Sequence, residues 1–215
     1  MRVIAGTAKG MRLRAPRGEA VRPTSDMVRE AIFDILGEAP VGARVLDLFA
    51  GTGALAIEAL SRGAEEAVLV ERSARCLAFI RDNLAHTRLA ERARLIHGDV
   101  FREVPKLDLA GEQFDLVLAD PPYREGAHRE RSAHRDSRRA GGGPPYIGGR
   151  SDEHAAQAPA QRALQLLAET AILAENAILV VEHATGLALP GEAGRLRLTT
   201  TRRYGSTSVS FFRSA

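Results

Sequence analysis

The sequence predicts an α/β fold: a doubly wound, mostly parallel sheet with a C-terminal antiparallel hairpin and an N-terminal β-hairpin arm. Two observations carry this. After residue 40, short apolar runs alternate with stretches of helical periodicity, which is the pattern of βαβ units. Near the end, the β-rich segments 195–202 and 207–213 flank Tyr204-Gly205-Ser206, the composition of an antiparallel hairpin.

Each element follows from its own residues. Val3 and Ile4 face Met11 and Leu13 across residues 7–10, which predicts a hairpin in a basic arm spanning 1–22, ahead of a single domain over 23–215. Val28, Ala31, Ile32, Ile35 and Leu36 then form one apolar stripe at helical spacing. Thr24, Ser25 and Asp26 are available to cap this helix and Gly37 to stop it. Strands are expected at 44–49, 67–71, 93–97, 114–119 and 177–182, and helices at 54–62, 73–86 and 160–173. Residues 124–158 differ in kind, with seven arginines, a Gly141-Gly142-Gly143-Pro144-Pro145 tract and few large apolar side chains. Such a stretch cannot offset its ordering entropy by burial, so a mobile insertion is expected there.

Composition narrows the class. A chain of 215 residues, 45% hydrophobic and 27% charged, suits one globular domain with a sizeable core. The formal net charge is only +3, yet 28 of the 30 basic residues are arginines, Lys9 and Lys106 being the exceptions. Arginine forks onto phosphates and stacks on bases, which directs attention to nucleic acid. Through Glu30, Arg2, Lys9, Arg12, Arg14, Arg17, Arg22 and Arg29 stand against Glu19, Asp26 and Glu30, an excess of four positive charges. A single cysteine, Cys76, excludes a disulfide scaffold and a cysteine-based zinc site. His128, His134 and His154 lack ligand spacing, so no metal is expected. With no signal-peptide pattern and no run of about 18 apolar residues, a soluble, cytoplasmic monomer is expected.

The richest segment is Asp47-Leu48-Phe49-Ala50-Gly51-Thr52-Gly53, a strand end running through a glycine turn into a helix. Glycines there let a ligand approach the helix N-terminus. Gly51, Gly53 and Ala56, with Glu71 further on, even fit a dinucleotide fingerprint. Asp47 argues against it, because a carboxylate facing a pyrophosphate is repelled. The same carboxylate suits the amino group and sulfonium of S-adenosylmethionine. Glu71, ending the second strand, can accept both ribose hydroxyls, and Asp99 in Gly98-Asp99-Val100 can accept from the adenine amine, or can cap the next helix. The predicted cofactor site is therefore Asp47, Phe49, Ala50, Gly51, Thr52, Gly53, Glu71, Asp99, Val100 and Asp120.

The fourth strand ends in Asp120-Pro121-Pro122-Tyr123, the predicted catalytic residues. An exocyclic base amine is a weak nucleophile because its lone pair is delocalised into the ring. Asp120 and the Pro121 carbonyl can each accept one of its N–H groups, with the prolines holding that carbonyl rigid. Tyr123 offers a stacking face. Asp120 can also take the released proton. The motif fits adenine-N6 methylation in DNA or RNA as well as guanine methylation. A non-catalytic RNA-binding assembly factor and a nicotinamide oxidoreductase are the readings outside this chemistry.

The glycine segment, the run from Glu58 to Ala64 and Asp120-Pro121-Pro122-Tyr123 together resemble the bacterial RsmD family. The resemblance extends to Arg2 through Gly6, Arg22 through Glu30 and Arg203-Tyr204-Gly205-Ser206-Thr207, nearly the whole chain except 124–158. It implies a Rossmann-like class I S-adenosylmethionine-dependent methyltransferase that modifies the guanine N2 amine at position 966 of 16S ribosomal RNA, on a partly assembled small-subunit particle. On this reading Arg2, Lys9, Arg12, Arg14, Arg22, Thr24 and Arg29 bind RNA, with Arg22 and Thr24 either lining the pocket or serving the helix entry. The long insertion departs from the family pattern, and both an RNA-gripping lid and an inert loop are consistent with its composition.

Overall fold

The computed structural model describes residues 1–16, 26–122 and 157–215. It contains an eight-stranded sheet in the order β3-β2-β1-β4-β5-β8-β7-β6. The strands β1 (Arg44–Leu48), β2 (Glu66–Glu71), β3 (Ala93–His97), β4 (Phe114–Ala119) and β5 (Leu173–Ala184) are parallel. The strands β6 (Glu192–Ala193), β7 (Leu196–Tyr204) and β8 (Thr207–Ser214) extend the sheet in antiparallel fashion. This is the predicted doubly wound sheet with its C-terminal hairpin. Parallel strands buried on both faces need helices on both sides. The helices α1 (Asp26–Leu36), α2 (Ala54–Ser61) and α3 (Ala74–Thr87) cover one face, and α4 (Val100–Leu109) and α5 (Pro159–Ala168) the other, giving two apolar clusters on either side of β1 and β4.

The arm is a small hairpin closed by the Arg2–Arg12 bridge, with Val3 N–H donating to Met11 O at 3.0 Å and Gly10 N–H to Val3 O at 2.9 Å. Val3, Ala8 and Leu13 are buried in the same cluster as α1 and α2, so the arm is packed onto the body.

Three elements depart from expectation. The helix α4 falls where no helix is expected from the sequence: it contains Pro105, yet Val100, Val104 and Leu107 keep an apolar stripe and Asp99 caps its start. The helix predicted over 160–173 stops at Ala168, and Leu173 instead pairs with Phe114 as the first residue of β5. Ile172 and Leu173 are fully buried there, so pairing with β4 outweighs the helical pattern. The early part of β5 is irregular, with Asn176 at φ 59° and a register shift opposite Phe114 and Leu116. The expected insertion falls almost wholly outside the described residues. At its end, Ala158 is already the N-cap of α5.

Candidate functional site

The strand order reverses at β1: β2 and β3 lie on one side of it, β4 and β5 on the other. The crevice beyond the carboxyl ends at such a point is where open α/β sheets bind ligands. Asp47 lies in β1, paired with Leu69 of β2 and Leu118 of β4. Beyond it the chain turns through Phe49 (φ 64°), Gly51 (φ 57°) and Gly53 (φ 76°) before α2 begins. Left-handed backbone is ordinary for glycine but not for phenylalanine, and such residues concentrate at ligand sites.

The acidic side chains shape this turn. Asp47 is 1% exposed and accepts from the Ala56 amide at 3.1 Å. Burial pushes its carboxyl pKa up to about 7, the Ala56 hydrogen bond opposes this, and the charge of Glu71 adds to the rise. Glu71 accepts from Gly51 N–H at 2.8 Å and Ser73 N–H at 2.7 Å, holding the loop against the end of β2. Asp99 accepts from Phe101 N–H at 2.9 Å, so it does cap α4. Carboxylate oxygens have further lone pairs, and capping leaves both Glu71 and Asp99 able to accept from a ligand. Ala50 and Thr52 are buried, as is Val100 behind Asp99.

Sequence reasoning missed Phe101. Its ring meets Phe49 edge to face, with centroids 6.2 Å apart, and the Arg162 guanidinium lies 4.1 Å above it. An aromatic two residues after an acidic strand end was the available signal.

Asp120 follows β4 directly and is half-buried; Pro121 is buried and Pro122 exposed. Since Ala119 pairs with Leu48 and Val181, Asp120 sits between the ends of β1 and β5. A cleft of about 240 Å³ opens beside it, lined by Pro121, Pro122, Pro159, His183, Gly186 and Leu187. His183 lies 2.9 Å from Ser210 Oγ and 3.1 Å from Ala184 O, and burial pushes its pKa down, so the ring is neutral near pH 7. Thr207 pairs with Ala184, which brings the hairpin tip, with exposed Arg202 and Arg203, to the same edge of the sheet. Tyr123, Arg22 and Thr24, expected in the site, lie outside the described residues, as do His128, His134 and His154. Among the described residues, no group of three or more His, Cys, Asp or Glu side chains is placed to hold a metal, and no helix is long and apolar enough to cross a membrane.

Arg2, Lys9, Arg12 and Arg14 are exposed on the arm. Met1 Sδ lies 4.0 Å from Thr52 Oγ1 in the glycine loop, whereas Thr7 N–H donates to Ser61 O at the other end of α2. The Arg14 end of the hairpin is thus the one near the glycine loop, with the Arg14 guanidinium 3.2 Å from Asp82 Oδ2 of α3, and Lys9 stands at the far turn.

Arg29 overturns an expectation. Its side chain is 0% exposed, with Nη2 donating to Asp26 Oδ1 at 2.9 Å and to Arg2 O, and Nε 3.7 Å from Glu58 Oε2. A guanidinium buried in this way cannot reach a phosphate, so Arg29 is not an RNA contact. Glu58 in turn accepts from Ile4 N–H at 2.8 Å, Ala5 N–H at 3.0 Å and Arg62 Nε at 2.8 Å. Gly6 must be glycine: it has φ 80°, and a Cβ would lie 1.8 Å from Ser61 O.

The family model described as "Conserved hypothetical protein 95" matches residues 1–134. A Bacillus subtilis protein named "Putative rRNA methyltransferase YlbH" is 32% identical over 213 residues, covering 99% of this chain and 98% of that one. "Ribosomal RNA small subunit methyltransferase D" of Escherichia coli is 38% identical over 130 residues, 60% of this chain and 64% of its own length. The solved structure titled "Putative methyltransferase yhhF from Escherichia coli" superposes with a TM-score of 0.72 at 27% identity, covering 100% of this chain and 97% of that one.

Proposed function

Because the chain belongs to the Conserved hypothetical protein 95 family, the RsmD family, we propose that it is an S-adenosylmethionine-dependent ribosomal RNA methyltransferase acting on the N2 amine of a guanine in 16S RNA, of the position 966 type. The observation that carries this reading is the placement of a buried, incompletely partnered Asp47 and a half-buried Asp120 at the carboxyl ends of the neighbouring strands β1 and β4. The names of the relatives support the ribosomal RNA part of it.

The residues fit the cofactor. Asp47 accepts one backbone N–H, from Ala56, and burial raises its pKa to about 7, so a cationic group beside it would favour the ionised form. Asp47 would hold the cofactor's amino group, Glu71 the ribose hydroxyls, and Asp99, with Phe49, Val100 and Phe101, the adenine. When bound, S-adenosylmethionine supplies an electrophilic methyl group. Asp120 and the Pro121 carbonyl orient the target amine by accepting its two N–H groups, and Asp120 Oδ then takes the proton lost from nitrogen. Pro121 is buried, so its carbonyl is held by packing as well as by its ring. The cleft beside Pro121 and Pro122 receives the base, and Arg12 and Arg14 contact RNA phosphates from the arm side.

Mapping of modified nucleotides in 16S RNA from cells with and without the gene tests this. N2-methylguanosine at one position should disappear on deletion, return with the wild-type gene, and stay absent with Asp120→Ala. An unchanged methylation map in the deletion strain overturns the proposal.

A further inference from the structure

Two of the places at which the arm is held differ in what they touch. Its turn is gripped by α2, through Glu58 on Ile4 and Ala5 and through Ser61 on Ala8, where Ala8 N–H donates to Ser61 Oγ at 2.9 Å. None of these bonds reaches the cofactor loop. The end of the arm is held by Asn83 of α3, which is 1% exposed. Asn83 Oδ1 accepts from Arg14 N–H at 2.7 Å, and its Nδ2 donates to Arg14 O and to Thr52 O, both at 3.0 Å. One buried amide thus joins the backbone of the arm to the backbone of the glycine loop.

The joint is specific to asparagine. Aspartate has no N–H to give the two carbonyls, and glutamine is one methylene too long for the same pocket. The position of Thr52 adds to it, since its carbonyl is aimed by Gly51 and Gly53, both in left-handed conformation. A change of loop conformation that moves Thr52 O strains Asn83, and through it Arg14. Burial makes a broken bond here costly, because water cannot replace the lost partner.

We propose that Asn83 is a positioning residue that ties the arm to the cofactor loop, so that cofactor occupancy sets how firmly the arm is docked. The cofactor half of this rests on the proposed function. Its consequence is that the RNA phosphate-binding face carried by Arg12 and Arg14 is presented best when the crevice is filled, and by reciprocity that bound RNA tightens the cofactor.

Amide hydrogen exchange of the full chain, with and without S-adenosylhomocysteine, tests the link without measuring activity. In the wild type, the cofactor product should slow exchange of the hydrogen-bonded Val3 and Leu13 amides by about fivefold or more. In Asn83→Ala the ligand should still bind and this slowing should vanish. Arg14→Pro, which deletes the N–H given to Asn83 from a surface position, should abolish it as well and guards against loss of folding in the core variant. Slowing that is absent in the wild type, or undiminished in both variants, overturns the inference. Slowing that is present in the wild type and lost in both variants, beside an arm that binds no RNA at any salt concentration, upholds the link and overturns the RNA role assigned to the arm.

Discussion

Two buried carboxylates, Asp47 and Glu58, lie against the same short helix and are used in opposite ways. Glu58 is surrounded by Ile4 N–H, Ala5 N–H, Arg29 and Arg62, so its charge is neutralised and its oxygens are saturated. Asp47 receives the Ala56 amide, two residues earlier in α2, and faces Glu71 as a further source of negative potential. Burial with partners makes a clasp. Burial with fewer partners marks the place that the proposed function assigns to the ammonium group of the ligand. The contrast separates what holds the arm on from what holds a ligand.

The largest effect is expected at the clasp. Glu58→Ala leaves Arg29 buried with only the half-exposed Asp26 as counter-charge and two arm amides without an acceptor, so denaturant unfolding should show a loss of about 3–5 kcal/mol. The affinity of the folded fraction for S-adenosylhomocysteine should stay within about twofold, since no bond from Glu58 reaches the crevice; a loss of affinity equal to that of Asp47 variants would erase the distinction. A third carboxylate, Asp120, extends the comparison to chemistry. Asp120→Ala should lower methyl transfer by on the order of a hundred- to a thousandfold with cofactor affinity little changed, which single-turnover kinetics and calorimetry can separate.

Asp47 should show itself through pH. Its folded carboxyl pKa is raised from 3.8 to about 7, so the contribution of Asp47 to the stability of the ligand-free protein is full below about pH 4 and is lost as pH rises through 7. The ligand's ammonium group selects the ionised form, so the affinity for S-adenosylhomocysteine should rise about tenfold from pH 6 to pH 8. Asp47→Asn should bind weakly and without that pH dependence, while the ligand-free variant unfolds at a higher temperature than the wild type at pH 8. A flat affinity profile in the wild type contradicts the role assigned to Asp47. The smallest effect belongs to the exposed arm: Arg12→Glu with Arg14→Glu should weaken RNA binding and lower its salt slope by about one unit per lost phosphate contact.

What was legible in the sequence follows the range of the interactions. The strands β1 to β4 and the acids at their ends are local patterns, and the structure places Asp47, Glu71, Asp99 and Asp120 at or just beyond the carboxyl ends of these strands as expected. Arg29 was misread because counting charges along the chain cannot show that Glu58, 29 positions away, folds back to bury it. Asn83 carried no signal at all: it sits within a helix, and its partners Arg14 and Thr52 are 69 and 31 residues distant. The end of α5 and the start of β5 were set by pairing with Phe114, which no periodicity within 160–173 encodes.

The central claim is that this crevice and its Asp120-Pro121 rim methylate a guanine amine in small-subunit RNA. Purified protein, S-adenosylmethionine labelled in its methyl group and 16S RNA in free and partly assembled form allow it to be tested by nucleoside analysis of the product. The account predicts labelled N2-methylguanosine that vanishes with Asp120→Ala. Label in N6-methyladenosine, or label that persists at the wild-type rate in the Asp120→Ala protein, contradicts it.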